Sequence, residues 1–316
     1  MAQQLWVTDS LGGYLGNAKL SKQLRYAAQP LQKFRQFCQV KGALGLHKND
    51  TFVFDKVRNI GTAGGTLVET DTIPENEFTI GQGTLTITEY GNSVPYTGKL
   101  EALAEFDVEN AVTKTLRNDM SKTLDLAVSD QFLGCELKYF AMSSTTYALN
   151  TLTSGSASDG TETSTTALND YHVKNIIDEM QQNNIQPYDG ENYICIASVK
   201  ALRGLKDSGD WENAAKYGDP ERLFTGEVGR FYNCRFVLEN HVLSNTMGTG
   251  AEHGEAVFFG DDACMEGLAV PEELRAKVPT DFGRSRGVAW YALLGWKKIW
   301  DVTYDSEPHI IHFNPI

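Results

Sequence analysis

The stretch DVENAVTKTLRNDMSKTLDLAVSDQFLG, residues 107–134, predicts one long amphipathic helix. Asp107 is a residue type that caps helix N-termini, and Gly134 marks the expected end. At 1.5 Å per residue, the helix would be roughly 40 Å long. A single apolar stripe of this kind is typical of a core-facing helix rather than of a cofactor site. Its members are Val108, Val112, Leu116, Leu124, Val128 and Phe132.

The segment before this helix predicts an N-terminal arm. Apolar residues recur at three- and four-residue steps, which indicates an amphipathic helix that Pro30 kinks or divides and that Gly42 and Gly45 end. The periodic positions are Leu20, Leu24, Ala28, Leu31, Phe34 and Cys38.

Residues 51–95 then predict a long β-hairpin. Three β-branched or aromatic runs, FVFDKV (52–57), TLVET (66–70) and FTIGQGTLTITEY (78–90), are separated by GTAGG and DTIPEN. Arms of about 18 residues would extend roughly 60 Å, beyond the radius of a compact domain of this size. Leu85 and Ile87 offer one apolar face, and an isolated two-stranded ribbon is marginal in water. We expect another chain to cover that face; the alternative is a hairpin that folds back on its own body.

Residues after 167 predict an α/β lobe. A helix at 170–182 precedes strand YICIAS (193–198), a short helix after Ser198, and strands RFVLE (235–239) and AVFFG (256–260). GVAWYALLGWKKIWDVTY (287–304) and HIIHF (309–313) predict strands that return the C-terminus to the body. Between the long helix and the lobe, residues 151–167 are rich in Ser, Thr and Gly and predict a loop.

The charge distribution argues against a protein that grips nucleic acid. The net charge is −13, and nucleic-acid binding needs clustered cations. Residues 1–50 carry seven Lys and Arg against two Asp, a net +5, which leaves −18 for the remainder. We expect either a solvated amphipathic helix or a basic arm that lies across an acidic neighbouring subunit.

Other classes of site find little support in the sequence. No apolar run is long enough to span a membrane, and the five scattered cysteines predict buried thiols rather than a disulfide or metal site. Residues 283–287 match the G-x-S-x-G pattern around a nucleophile, Ser285, with His309 and His312 following. That pattern requires a helix after the turn, whereas a strand is predicted here. We therefore predict no catalytic, cofactor-binding or metal-binding residues.

Several blocks in the second half carry a family resemblance. They are YICIASVKALRGLKD (193–207), LFTGEVGRFYNCRFVLEN (223–240), the GDDA turn (260–263) and GVAWYALLGWKKIWD (287–301). In this order they resemble the major capsid proteins of tailed bacteriophages related to the N-four-like podovirus coat proteins. The resemblance runs from about Asp107 to Asp301, and residues 223–239 are its most specific part.

The resemblance implies an α+β chain with the Hong Kong 97-type capsid fold. Its parts would be an N-terminal arm, an extended β-hairpin loop, a long spine helix, and peripheral and axial domains. The corresponding boundaries are 1–50 for the arm, 51–100 for the extended loop, 101–150 for the spine helix and peripheral domain, 151–167 for the loop, 168–280 for a mainly axial α/β domain, and 281–316 for the returning strands.

The implied function is self-assembly into pentamers and hexamers of the icosahedral head that encloses double-stranded DNA. The protein would be a virion component assembled in the host cytoplasm, and it would enclose DNA without sequence-specific binding. Partners would be its own copies, a separate scaffolding protein (expected because only a short arm precedes the loop), a portal and decoration proteins. Charge and position predict these inter-subunit contacts: Lys19, Lys22, Arg25, Lys33, Arg35, Thr70, Asp71, Pro74 and Glu75.

Two alternatives remain open at this point. An encapsulin-like compartment would use the same fold to enclose cargo enzymes, and a serine hydrolase would use Ser285.

Overall fold

The structure is a computed structural model, and it describes ten segments of the chain. They are residues 33–41, 51–58, 60, 65–70, 72–73, 75–104, 107–152, 164–207, 229–302 and 307–314.

Over the described residues, four α-helices form where capping residues precede apolar periodicity. They are α1 (Gly98–Leu103), α2 (Val108–Leu133), α3 (Asp170–Gln182) and α4 (Val199–Lys206). The Asp107 side chain accepts a hydrogen bond from the Asn110 amide at 3.1 Å and thereby caps α2. Asn169 and Ser198 cap α3 and α4 in the same way. The predicted long helix and both downstream helices are confirmed.

Thirteen strands are described. They are β1 (Gln39–Lys41), β2 (Thr51–Val57), β3 (Ile80–Thr86), β4 (Thr88–Thr97), β5 (Leu137–Ser143), β6 (Thr146–Thr151), β7 (Tyr193–Ala197), β8 (Arg230–Phe231), β9 (Cys234–Leu238), β10 (Ala256–Phe259), β11 (Cys264–Ala276), β12 (Ser285–Lys298) and β13 (Ile310–Phe313).

These strands form three sheets. The seven-stranded sheet has the order β6-β5-β13-β10-β7-β9-β8, the four-stranded sheet has the order β1-β11-β12-β4, and β2 pairs with β3 in a ribbon. The two returning C-terminal strands join different sheets: β12 lies between β11 and β4, whereas β13 lies between β5 and β10. Strands from residues 137–151 thus share a sheet with strands from the 168–280 segment, and the sheets are built from non-contiguous segments.

The seven-stranded sheet separates two apolar cores. Along β7, Ile194 and Ile196 face the central core, which also contains the buried stripe of α2 and Trp290 of β12. The alternate residues Tyr193, Cys195 and Ala197 face an outer core with α3 and α4. Because side chains alternate along a strand, both faces of β7 are buried, which explains its continuous apolar run.

The ribbon β2–β3 is anchored at its base and exposed beyond it. Leu85 is 0% exposed and packs with Phe54, Met265 and Ile299 of the same chain. The expectation that another chain covers this whole face is therefore wrong at the base, where the chain's own body covers it. TLVET (66–70) forms no strand, and β4 leaves the ribbon to pair with β12.

The predicted arm helix does not extend to Cys38. Residues 1–32 lie outside the described residues, but Arg35–Phe37 form a single 3-10 turn and Cys38 is extended. Tertiary contacts account for the difference: Phe34 is buried against Phe132, and β1 pairs in parallel with β11. These contacts outweigh the local helical periodicity.

Candidate assembly surfaces

The junction between the arm and the body is held by one buried carboxylate. Asp125, in the middle of α2, is 2% exposed. It accepts hydrogen bonds from the amides of Lys33, Phe34 and Arg35 at 3.3, 3.0 and 3.2 Å. Burial raises the pKa of Asp125, while the three amide hydrogen bonds oppose that shift. The arm therefore enters the body at a defined point on the long helix.

Arg35, a predicted inter-subunit contact, is engaged within its own chain. Its guanidinium lies 2.7 Å from Glu266 Oε1 and also bonds Glu272. Partial burial would lower the pKa of Arg35, but the two carboxylates together raise it. Burial would likewise raise the pKa of Glu272, and the Arg35 guanidinium lowers it overall. Lys33 beside it is half-buried.

The structure describes only two of the remaining predicted contact residues. Thr70 and Glu75, in the segment between β2 and β3, are exposed. Asp71 and Pro74 of the tip, and Lys19, Lys22 and Arg25 of the arm, lie outside the described residues.

The ribbon combines a fixed base with an apolar outer part. Lys56 Nζ donates to the Ile299 carbonyl at 2.9 Å and lies 5.6 Å from the Trp300 ring. Farther out, the cross-strand pair Val57 and Ile80 is 62% and 54% exposed. Exposed apolar side chains also occur in the segment between β2 and β3, at Leu67, Val68, Ile73 and Phe78. Several large exposed apolar side chains in one segment are consistent with an interaction surface.

Both large sheets hold the C-terminal end of α2. Lys138 of β5 donates to the Leu133 carbonyl at 2.7 Å, and Lys298 of β12 donates to the Gly134 carbonyl at 2.9 Å. Two ammonium groups at a helix C-terminus satisfy its last carbonyls and complement its dipole. Sequence reasoning missed this joint, because the two lysines are 160 positions apart and neither belongs to a motif.

A buried hydrogen-bonded chain extends the joint. Lys138 Nζ is 2.9 Å from His312 Nδ1, and His312 Nε2 is 2.5 Å from Glu255 Oε1. Because an ammonium only donates, Nδ1 accepts and the ring proton resides on Nε2, which donates to Glu255. Burial lowers the pKa of both His312 and Lys138. His312 thus bridges Lys138 and Glu255 as a neutral ring.

Ser285 lies in a geometry unlike that of a hydrolytic nucleophile. It is the first residue of β12, and Lys277 Nζ donates to its hydroxyl at 2.7 Å. A strand rather than a helix follows, as expected from the sequence. The imidazoles of His309 and His312 bond instead to the Asp261 carbonyl and to Glu255.

Within the described segments, no cluster of three potential metal ligands occurs, and none of the helices is long and apolar enough to cross a membrane. All five cysteines are free, and four of them are buried.

Comparisons with known proteins agree with this architecture. A model of the phage capsid family matches residues 12–210. No curated protein matches the sequence. Among solved structures, one from Mycobacterium phage Che8 aligns with a TM-score of 0.67 at 14% identity, covering 95% of this chain and 97% of that one.

Two further solved structures show the same fold. The cyanophage Pam1 capsid asymmetric unit aligns with a TM-score of 0.70 at 14% identity, covering 97% of this chain and 98% of that one. The acidic stable capsid of Helicobacter pylori bacteriophage KHP30 gives 0.66 at 12% identity, covering 94% and 95%.

Proposed function

This chain belongs to the phage capsid family, and from that premise we propose that its copies close into the pentamers and hexamers of a tailed-phage head around double-stranded DNA. The chain is an α+β major capsid protein of the Hong Kong 97 type, a shell protein rather than an enzyme. It assembles with copies of itself into the icosahedral head and is a virion component.

The observation that best supports the proposed contacts is the outer part of the ribbon. Phe54, Lys56 and Leu85 hold one face of the ribbon on the body, whereas Val57 and Ile80 lie on the opposite face and are exposed. Because Val57 and Ile80 are already partly covered, full burial would stabilise each by roughly 1–2 kcal/mol, about half of the value for a fully exposed side chain. In a shell, a neighbouring copy can cover this exposed ribbon face. The contact between the ribbon of one copy and the body of the next then repeats around each ring.

The arm is the second proposed contact. Its entry point is fixed at Asp125, and its basic residues precede an acidic body. We assign the following residues to inter-subunit contacts: Lys19, Lys22, Arg25, Lys33, Arg35, Thr70, Asp71, Pro74 and Glu75. Arg35 would keep its ion pairs with Glu266 and Glu272 and form part of the surface that the arm of another copy contacts.

The segments receive capsid roles on the same basis. Residues 1–50 form the arm, 51–100 the extended loop, 101–150 the spine helix and peripheral domain, 168–280 the mainly axial part, and 281–316 the returning strands; 151–167 connects them. We assign the four-stranded sheet to the peripheral domain and the seven-stranded sheet to the axial domain. On this assignment β5 and β6, at the end of the 101–150 segment, belong to the axial side.

Further partners follow from the resemblance to the N-four-like podovirus coat proteins. They are a separate scaffolding protein, a portal and decoration proteins, with assembly in the host cytoplasm. The cation-poor body, net −18 after residue 50 of a chain of −13, suits a wall that encloses DNA without binding specific sequences.

Electron microscopy with light scattering tests assembly directly. The protein is expressed alone and together with its neighbouring viral genes. Rings, shells or tubes are expected in at least one condition. A persistent monomer in both conditions would contradict the proposal.

A paired substitution tests the ribbon. Val57→Thr with Ile80→Thr keeps β-branched residues on both strands but removes apolar surface. We expect the critical concentration for assembly to rise at least about tenfold, equivalent to about 1.4 kcal/mol, without a change in subunit stability. Val199→Thr, at a 50% exposed valine on the body, is the matched control. Equal assembly by all three proteins would refute the ribbon contact.

A further inference from the structure

The hairpin between β11 and β12 ends in a turn that its sequence does not favour. Arg284 N donates to the Asp281 carbonyl at 3.0 Å, which closes a four-residue turn. Its two central residues, Phe282 and Gly283, have φ of +52° and +87°. Asp281 before them also has a positive φ, +54°, so three successive residues are left-handed. Positive φ at both central positions is typical of a type I′ turn, whose first central position favours Asn, Asp or Gly. A bulky Phe at this position is a local outlier.

Phe282 is also held away from its own chain. It is 107% exposed, and Val278 beside it is 80% exposed. A second turn of the chain provides a comparison: Tyr232 has φ of +46° and precedes Asn233 at +54°. The Tyr232 ring, however, lies 4.5 Å from the Phe231 ring and 4.4 Å from Lys174 Nζ. Contacts within the chain account for Tyr232, whereas Phe282 has no ring contact with any described residue.

A groove of complementary character lies on the same chain. It has a volume of about 520 Å³ and lies between α2 and β11. β11 pairs with β1 only at Met265–Gly267, so this side of β11 is open farther along among the described residues. The lining residues are Arg117, Met120, Ser121, Glu272, Glu273 and Leu274.

The charges of the tip and of the groove match. The tip carries an acid at Asp281, an aromatic ring at Phe282 and a base at Arg284. Asp281 and Arg284 lie 3.5 Å apart, and their side chains are 59% and 81% exposed, so this surface ion pair is open to exchange. The groove presents a base at Arg117, an apolar floor at Met120 and Leu274, and acids on the β11 side. Glu272 is paired there with Arg35, and the half-exposed Glu273 is paired with Arg275, so Arg284 of another copy would join Arg275 at Glu273. A second copy of this chain is therefore the partner that fits, because it supplies both halves of the match.

We propose that Phe282 of one copy inserts into the α2/β11 groove of the next copy. Arg284 then faces Glu273, and Asp281 faces Arg117. The tip cannot reach its own groove, because paired β-strand extends from Leu274 through Ala276 and carries the turn away from it. The contact joins unlike surfaces and closes by rotation; it rests on the proposed shell function and adds a second interface to the ribbon and arm.

Phe282→Asn gives the sharpest test, because Asn is favoured at this turn position. The variant subunit should fold with an unchanged or higher Tm, while its critical concentration for assembly rises at least about tenfold. Tyr232→Asn makes the same exchange in the comparison turn, and we expect it to assemble as the wild type does. Wild-type assembly by Phe282→Asn would overturn the proposal, as would normal shells that only lose an accessory protein.

The groove is tested from its other side. Ser121→Trp fills it from a half-buried position and should impair assembly as Phe282→Asn does. Since both changes remove one contact, the double variant should be no worse than the more impaired single variant. Additive losses would overturn the pairing of tip with groove.

Cysteine pairing then locates the contact. With Phe282→Cys and Ser121→Cys in one chain, mild oxidation of assembled particles should give a ladder of disulfide-linked oligomers, and either single variant should not. Absence of the ladder in intact particles would overturn the contact. Failure of the wild type to assemble at all would instead count against the proposed function, so the two failures are distinguishable.

Discussion

His172 shows how a single buried side chain makes stability depend on pH. It lies on α3, is 0% exposed, and its Nδ1 is 3.0 Å from the Tyr139 hydroxyl. Burial lowers the pKa of His172 from 6.5 to about 4. The unfolded chain therefore binds a proton between these values that the folded chain does not bind. The contribution of neutral His172 to stability is complete above pH 6.5 and is lost as the pH falls towards 4.

We predict that His172→Asn removes this dependence, because Asn cannot take up the proton and can still bond Tyr139. The free energy of unfolding of wild-type subunits, relative to the variant, should fall by on the order of 3 kcal/mol between pH 7.5 and pH 4. Urea unfolding of unassembled subunits at several pH values measures this difference. Parallel pH profiles of the two proteins would contradict it.

At the scale of elements, the ribbon depends on close approach of two backbones. A Cβ on Gly295 of β12 would lie 2.3 Å from the Thr86 carbonyl oxygen and 3.0 Å from a Leu85 methyl. Only a residue without a side chain lets the end of β3 rest on β12 and bury Leu85. The position of the ribbon base therefore depends on Gly295 in the four-stranded sheet as well as on the ribbon's own residues.

Gly295→Ala should loosen this base, because overpacking at a rigid backbone contact costs about 1–3 kcal/mol. We expect faster amide hydrogen exchange along β2 and β3, together with a lower free energy of unfolding. Gly65→Ala is the control, since a Cβ at Gly65 meets nothing within 4 Å; its effect should stay within about 0.5 kcal/mol. Unchanged exchange in Gly295→Ala would show that the base does not need the close approach.

At the scale of the whole molecule, the end of α2 is where the two large sheets meet. Lys138 belongs to the seven-stranded sheet and Lys298 to the four-stranded sheet, and both donate to carbonyls at the end of this helix. Glu255 of the Lys138–His312–Glu255 chain also accepts from the Ser244 amide at 2.8 Å. The joint therefore holds the helix and both sheets in one arrangement.

Lys138→Met should destabilise the subunit by about 3–5 kcal/mol, because it leaves Glu255 as a buried, uncompensated charge. Lys138→Met combined with Glu255→Gln removes both charges, so the double variant should recover part of the loss. A double-mutant cycle in urea measures the coupling free energy. Strictly additive single effects would show that the two charges do not interact through His312.

Much of the architecture was predictable from local sequence. Asp107 caps its helix as expected, the helices at 170–182 and after Ser198 are present, and so are the strands around Cys195, Phe258 and Trp290. Caps and periodicity act between residues a few positions apart, so a short stretch contains their full signal. The two strands of the ribbon, β2 and β3, were predictable for the same reason, whereas TLVET forms no strand and β4 pairs with β12 instead.

Contacts between residues far apart in the sequence could be identified only from the tertiary structure. Phe34 meets Asp125 across 91 positions, and Lys138 meets His312 across 174. The membership of β13 in the seven-stranded sheet, the extended conformation of Cys38 and the packing of Leu85 on Ile299 also depend on distant contacts. The sequence by itself determined which segments are helices and strands, because those preferences are local. Packing determined which segments meet, because burial of a shared apolar face selects partners that no local pattern encodes.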